Sequence, residues 1–323
     1  MSKRSTSNSA DFSIEPWLAY PIGPQVQRYL GISPSEYRGE NAPAPTDEQS
    51  AAFRTFLSEV FAKQPPEDQG EFVDLLEELT AMGLSSAAVE LADTFPQFAI
   101  DGEFRACLAL GSALMMESEL DEALLLLTQA QALVPAETAP YVNLAAIYFS
   151  LSRDEEAQHW IERGLQIDVN QFRLWEILAS IYLHENREEA GQRLRDKADR
   201  LHAYAGLSLA ADLIDPNDRL LKAQYLGDAF NAGARDDDFL IEYTAALGLA
   251  QQFEKIPQLV WQMEHMEKKP VHWKLYAHAA QAYLALNKEA EAAVLIQRVE
   301  QSRDVPSNVL QDLQQIYDEQ IQP

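Results

Sequence analysis

A ladder of bulky and tiny side chains that returns every thirty-four residues constrains this chain more than any other feature. With Phe104 as position one, Leu110, Gly111, Leu114, Ala123, Leu127, Ala130 and Pro135 fall at positions seven, eight, eleven, twenty, twenty-four, twenty-seven and thirty-two. From Thr138 the pattern begins again. Tyr141, Leu144, Ala145, Tyr148, Ala157, Ile161 and Gly164 take positions four, seven, eight, eleven, twenty, twenty-four and twenty-seven. This spacing predicts two antiparallel helices per period: small residues at eight and twenty let the backbones approach, and large ones at four, seven, eleven and twenty-four fill the space between. A single pair cannot bury its apolar face. Stacked pairs can, and the ends of the stack then need caps.

The ladder resembles the tetratricopeptide repeat, whose pattern sets Trp, Leu, Gly, Tyr, Ala, Phe, Ala and Pro at those eight places. The resemblance implies an all-α fold, a right-handed α-solenoid of antiparallel helix pairs. A third repeat starts at Phe172, with Trp175, Leu178, Ala179 and Tyr182 on schedule and Ala190 one residue early. A last clear one starts at Trp273, with Tyr276, Ala279, Ala280, Tyr283, Ala292, Ile296 and Val299 in place. The clearest repeats are thus 104–137, 138–171, 172–204 and 273–305, inside a helical domain over 46–323 that closes with a capping helix over 306–320.

Residues 1–45 read differently. Met1 to Ala10 is a Ser- and Asn-rich tail read as disordered, and Asp11 to Pro45 is an arm in which aromatic residues such as Trp17, Tyr20 and Tyr29 interleave with Pro16, Pro21, Pro24 and Pro34. The arm reads as extended, with one short helix from about Pro24 to Leu30. Three roles stay open for it: a cover over the apolar end of the solenoid, a pseudo-ligand in its groove, or a docking peptide for a partner. Thr46 is placed to cap the next helix, and Glu71 to Met82 and Leu84 to Phe95 form a divergent pair about Gly83. Tyr204 to Asp215 reads as less regular and ends at the Asp215-Pro216-Asn217 break, followed by helices over Arg219–Phe230, Phe239–Ala250 and Phe253–Met266. The run Asp236-Asp237-Asp238 reads as a helix cap, since three consecutive carboxylates cannot all face one cation.

Charge narrows the partners. The chain carries 51 acidic against 25 basic residues, a formal net charge of -26. Such a field repels phosphate backbones, so nucleic acid is excluded as a partner and a basic protein surface is favoured. Between Lys63 and Arg153 the only basic residue is Arg105. No apolar run approaches the length of a membrane span, and the N-terminus lacks the apolar block of a secretory signal, which makes a cytoplasmic location the expectation. Cys107, the only cysteine, falls at a core position. Catalysis finds no motif: HExxH, a glycine-rich phosphate loop and GxSxG are missing, and the six histidines are scattered, so neither enzyme activity, a cofactor nor a metal is expected.

In the repeat family the first helix of each pair lines the concave wall through positions two, five, six, nine, twelve and thirteen. Carried over, these give a partner-binding groove of Arg105, Leu108, Ser112, Met115 and Met116, then Val142, Asn143, Ala146 and Phe149, then Arg173, Ile177 and Ser180. Asn143 stands where the family uses an amide to hold the backbone of a bound peptide; the alternative is a bond to a neighbouring helix. Met115, Met116 and Phe149 read as an adaptable apolar floor or as packing beneath the arm. A clamp for a C-terminal carboxylate is rejected, since Leu108, Ser112 and Ile177 stand where that specialisation needs Lys, Asn and Arg. The resemblance implies a non-enzymatic scaffold or adaptor for a partner's peptide or helix, with a chaperone or assembly factor that sequesters an apolar client segment as the alternative.

Overall fold

The computed structural model describes residues 25–26, 47–184, 186–266, 268, 271–303 and 305–321. Among the described residues there are sixteen helices and no strand. The chain divides into two compact units, Met1–Asp168 and Val169–Pro323. The expectations for the tail, for the arm apart from Gln25 and Val26, and for Thr46 lie outside the described residues.

The first unit holds α1 (Asp47–Lys63) and three helix pairs: α2 (Gln69–Ala81) with α3 (Ser85–Thr94), α4 (Phe104–Met116) with α5 (Leu120–Leu133), and α6 (Ala139–Ser150) with α7 (Asp154–Ile167). Local chemistry starts these helices where they start. The carboxylate of Asp68 accepts the Glu71 N–H at 2.9 Å, Glu103 does the same for Ala106, and Pro140 lies in the first turn of α6, where its missing N–H costs nothing. Small residues then set how closely the pairs approach. A Cβ added to Gly111 would lie 2.9 Å from Leu127 Cγ, and Ala123, Ala145 and Ala157 are wholly buried.

The turn inside each pair fixes the register. Counting from Gln69, Phe104 and Thr138, position fifteen is Gly83, Ser118 and Ser152, and all three adopt left-handed backbone, with φ of 73°, 66° and 55°. The ladder therefore extends back to Gln69, with Phe72, Leu75, Leu76, Leu79 and Ala88 at positions four, seven, eight, eleven and twenty, each without exposed surface. These residues form one buried cluster with Leu57 and Phe61 of α1 and with Val26. A second cluster gathers Leu110, Leu114, Ala123, Leu127, Leu144 and Ile147. Cys107 is wholly buried, its thiol 3.1 Å from the Ile100 carbonyl, and burial raises its pKa.

The second unit holds α8 (Phe172–Tyr182) with α9 (Arg187–Leu201), α10 (Tyr204–Asp212) with α11 (Arg219–Asn231), α12 (Asp237–Leu249) with α13 (Lys255–His265), α14 (Trp273–Ala285) with α15 (Glu289–Glu300), and a final α16 (Ser307–Ile321). The stretch expected to be irregular is the first helix of a full repeat. With Tyr204 as position one, Leu207, Ala210, Ala211 and Ala223 fall at four, seven, eight and twenty, all buried. Gly206 makes this possible, because a Cβ there would sit 2.7 Å from Ala198 Cβ and 2.8 Å from Trp175 Cε3. Trp175 has no exposed surface and donates its indole N–H to the Val169 carbonyl at 2.8 Å. Asp236 caps α12, accepting the Phe239 N–H at 2.8 Å. Gln251 and Asn287, at position fifteen of their repeats, again take left-handed backbone with φ of 59° and 55°.

Candidate functional site

In the first unit α4 and α6 carry nine of the twelve expected residues, and the packing of α4 on α6 brings them onto neighbouring helices. Leu108 and Met115 are half-buried against the cluster of Leu110, Leu114 and Leu144; Met116 is 52% exposed. Val142, Asn143, Ala146 and Phe149 are half-buried along α6. Asn143 and Ser112 meet. The Asn143 Nδ2 donates to Ser112 Oγ at 2.8 Å, while that hydroxyl donates to the Leu108 carbonyl at 2.6 Å. The amide therefore bonds a neighbouring helix with one hydrogen, and no other bond of the amide is found among the described residues.

Arg105 has a different setting from the one its position suggests. Its guanidinium is held at 2.7 Å by Asp74 and also by Glu77, both on α2, and these carboxylates raise its pKa. Asp74 and Glu77 are positions six and nine of the repeat that starts at Gln69, so the ladder, extended back, would have placed them on the same face. The cation is thus largely neutralised within the wall. Thr80, also on α2, ties that helix to α4 by donating to the carbonyls of Leu76 at 2.7 Å and Ala109 at 3.3 Å.

The remaining three expected residues belong to the second unit, on α8. Arg173 is exposed and pairs with Glu176 at 2.9 Å, Ile177 is half-buried, and Ser180 donates to the Glu176 carbonyl at 2.9 Å. The second unit also holds a polar link that the sequence reading missed. Thr244, wholly buried on α12, lies 2.7 Å from His278 Nδ1 on α14, and its hydroxyl reaches the Leu240 carbonyl at 2.9 Å. Burial, aided by the charge of Lys274, lowers the His278 pKa. Among the described residues no three His, Cys, Asp or Glu side chains come together as a metal site, and no helix is long and apolar enough to cross a membrane.

This geometry, pairs of helices repeated at close to thirty-four residues, five of the seven with a left-handed turn residue at position fifteen, coincides with a family match. Residues 114–181 match the model of the tetratricopeptide repeat. Over that stretch the chain is similar to the tetratricopeptide repeat. Compared with curated proteins, it finds no match. Among solved structures it is similar to MamA, at 22% identity over 44% of this chain and 83% of that one with a TM-score of 0.36. It is also similar to PilF of Pseudomonas aeruginosa, at 15% identity over 67% and 98% with a TM-score of 0.35. A third is YrrB, described as a tetratricopeptide repeat protein with an unusual peptide-binding site, at 12% identity over 69% and 97% with a TM-score of 0.31. Tetratricopeptide repeats serve in general as non-catalytic modules for protein interaction, and in that general sense this fold is a protein-interaction scaffold.

Proposed function

We propose that the chain is a non-enzymatic scaffold that holds an extended peptide or a helical segment of a protein partner along α4 and α6. The observation that carries this reading is the state of Asn143: it is half-buried, and one amide hydrogen anchors it on Ser112 at 2.8 Å. Anchoring of this kind pre-orients a donor and an acceptor for a partner backbone, which lowers the ordering cost of binding. Met115, Met116 and Phe149 supply adaptable apolar contact beside it. The proposal rests on the first unit alone; Arg173, Ile177 and Ser180 take no part in it.

Partner chemistry follows from charge. Residues 64–152 contain one basic side chain, Arg105, already held by two carboxylates, so a basic or neutral segment is favoured and nucleic acid is not. A cytoplasmic setting accords with an unpaired buried thiol. A second reading is favoured by the methionine and phenylalanine surface: a chaperone that shields an apolar client segment, for which affinity would follow Met115 and Met116 rather than Asn143. Paired affinity capture with the intact chain and its N143A and M115A/M116A variants tests both. A partner kept by the unaltered chain and lost by N143A supports the scaffold. Equal recovery by all three removes this face from consideration.

A further inference from the structure

The contact between Ser112 and Asn143 fixes more than a distance, because its hydrogens can be counted. Ser112 stands at position nine of its repeat and Asn143 at position six of the next, both half-buried. A hydroxyl has one hydrogen, and that of Ser112 goes to the Leu108 carbonyl, one turn back on α4, at 2.6 Å. Toward α6 the oxygen can therefore only accept. The group across from it has to be a donor, and Asn143 supplies its Nδ2 at 2.8 Å. Turned over, the amide would set Oδ1 against an oxygen with no hydrogen left to give. Ser180 provides the contrast within the chain: it too stands at position nine and donates one turn back, to the Glu176 carbonyl at 2.9 Å, but position six of the next repeat is Leu209, which has no amide to orient.

We propose that Ser112 is a positioning residue for the peptide site on α4 and α6: it holds the Asn143 amide with Nδ2 toward α4, so that the end left for a partner is the acceptor Oδ1. The inference rests on the function proposed above and adds a partner chemistry to it. A segment bound there has to bring a backbone N–H to Oδ1. Proline, which has none, is disfavoured at that one register. Without the hydroxyl, either end of the amide can turn outward, the choice between donor and acceptor is lost, and part of the binding energy goes into ordering the side chain.

The test uses the full-length chain with its S112A, S112T and N143A variants, and a phage-displayed library of random peptides as the probe. Peptides kept by the unaltered chain and lost by N143A are synthesised with each backbone N–H methylated in turn. Against the unaltered chain and S112T, one methylation should weaken binding at least about threefold; against S112A no single position should stand out, and the parent peptide should bind at least about threefold more weakly. A serine that only supports packing would lower the thermal midpoint and leave the methylation profile as it was, and an unchanged profile overturns the proposal. Nuclear magnetic resonance of the Asn143 side-chain amide gives a reading without any peptide. Its hydrogens should exchange with solvent at least about threefold more slowly in the unaltered chain and S112T than in S112A, and equal rates overturn the proposal. If no peptide depends on Asn143, the function proposed above fails and this inference falls with it; slow exchange in the unaltered chain would then show that the bond to Ser112 stands and that the reading of the face as a binding site is what failed.

Discussion

Two links between successive first helices occupy nearly the same place in their repeats and differ in kind. In the first unit Asn143, at position six, donates to Ser112 at position nine of the preceding repeat; in the second unit His278, at position six, meets Thr244 at position eight. The first link is half-exposed and carries no titratable group. The second is built on a fully buried hydroxyl and an imidazole whose pKa burial has lowered. A repeat thus offers one polar position that ties neighbours together. Where it stays open it is the position that the proposed function assigns to a ligand, and where it is closed it becomes a strut whose strength depends on pH.

Both links presuppose the packing beneath them, and the largest effects are expected there. Trp175→Ala, which empties a wholly buried site beside Gly206, should cost about 3–5 kcal/mol, seen as a large fall in thermal midpoint. Ala145→Trp in the first unit and Gly206→Ala in the second overfill points of closest approach, and each should cost about 1–3 kcal/mol. If A145W left the midpoint unchanged, the register of the ladder in the first unit would be wrong. An unaffected G206A would break the corresponding assignment of α10.

The two links themselves are separated by pH. His278 binds a proton less readily folded than unfolded, so the unfolded chain holds more protons in the window below the ordinary histidine pKa of about 6.5. Stability attached to this group is present above that value and is lost as pH falls from it toward the depressed folded pKa. In denaturant titrations the unaltered chain should lose stability across this window relative to its own value at neutral pH, and H278N should remove that part of the loss. Parallel pH profiles would mean that His278 is protonated or exposed in the folded chain. The smallest effect is expected at the open link. N143A should cost only about 0.5–1.5 kcal/mol of stability. Combined with M115A, it should abolish partner capture.

The pair architecture was legible because its signal is geometric: Gly111, Ala123, Ala145 and Ala157 mark close approach wherever a Leu or Tyr faces them at fixed spacing. The repeat at Tyr204 escaped notice for the same physical reason. Its closest contact is carried by Gly206 at position three, and Ala210 stands at position seven where the pattern wants bulk, so a nine-residue helix reads as a less regular stretch. The face of α4 and α6 could be named from the ladder, but the bonds within it could not. That Arg105 is spent on Asp74 and Glu77 required knowing that the register continues back to Gln69. Glu78 gave no signal at all, because its partners are backbone N–H groups of a segment more than fifty residues away.

Cys107 gives the first unit a built-in reporter. The chain has one sulfhydryl, it lies on α4 with no surface in contact with solvent, and its raised pKa keeps it in the less reactive protonated form. A thiol reagent can reach it only when the cluster around α4 parts, so the labelling rate under native conditions counts those openings one at a time. Each label then records a breathing event in the helix that also carries Ser112 and Met116, and a segment bound along that helix should slow the count.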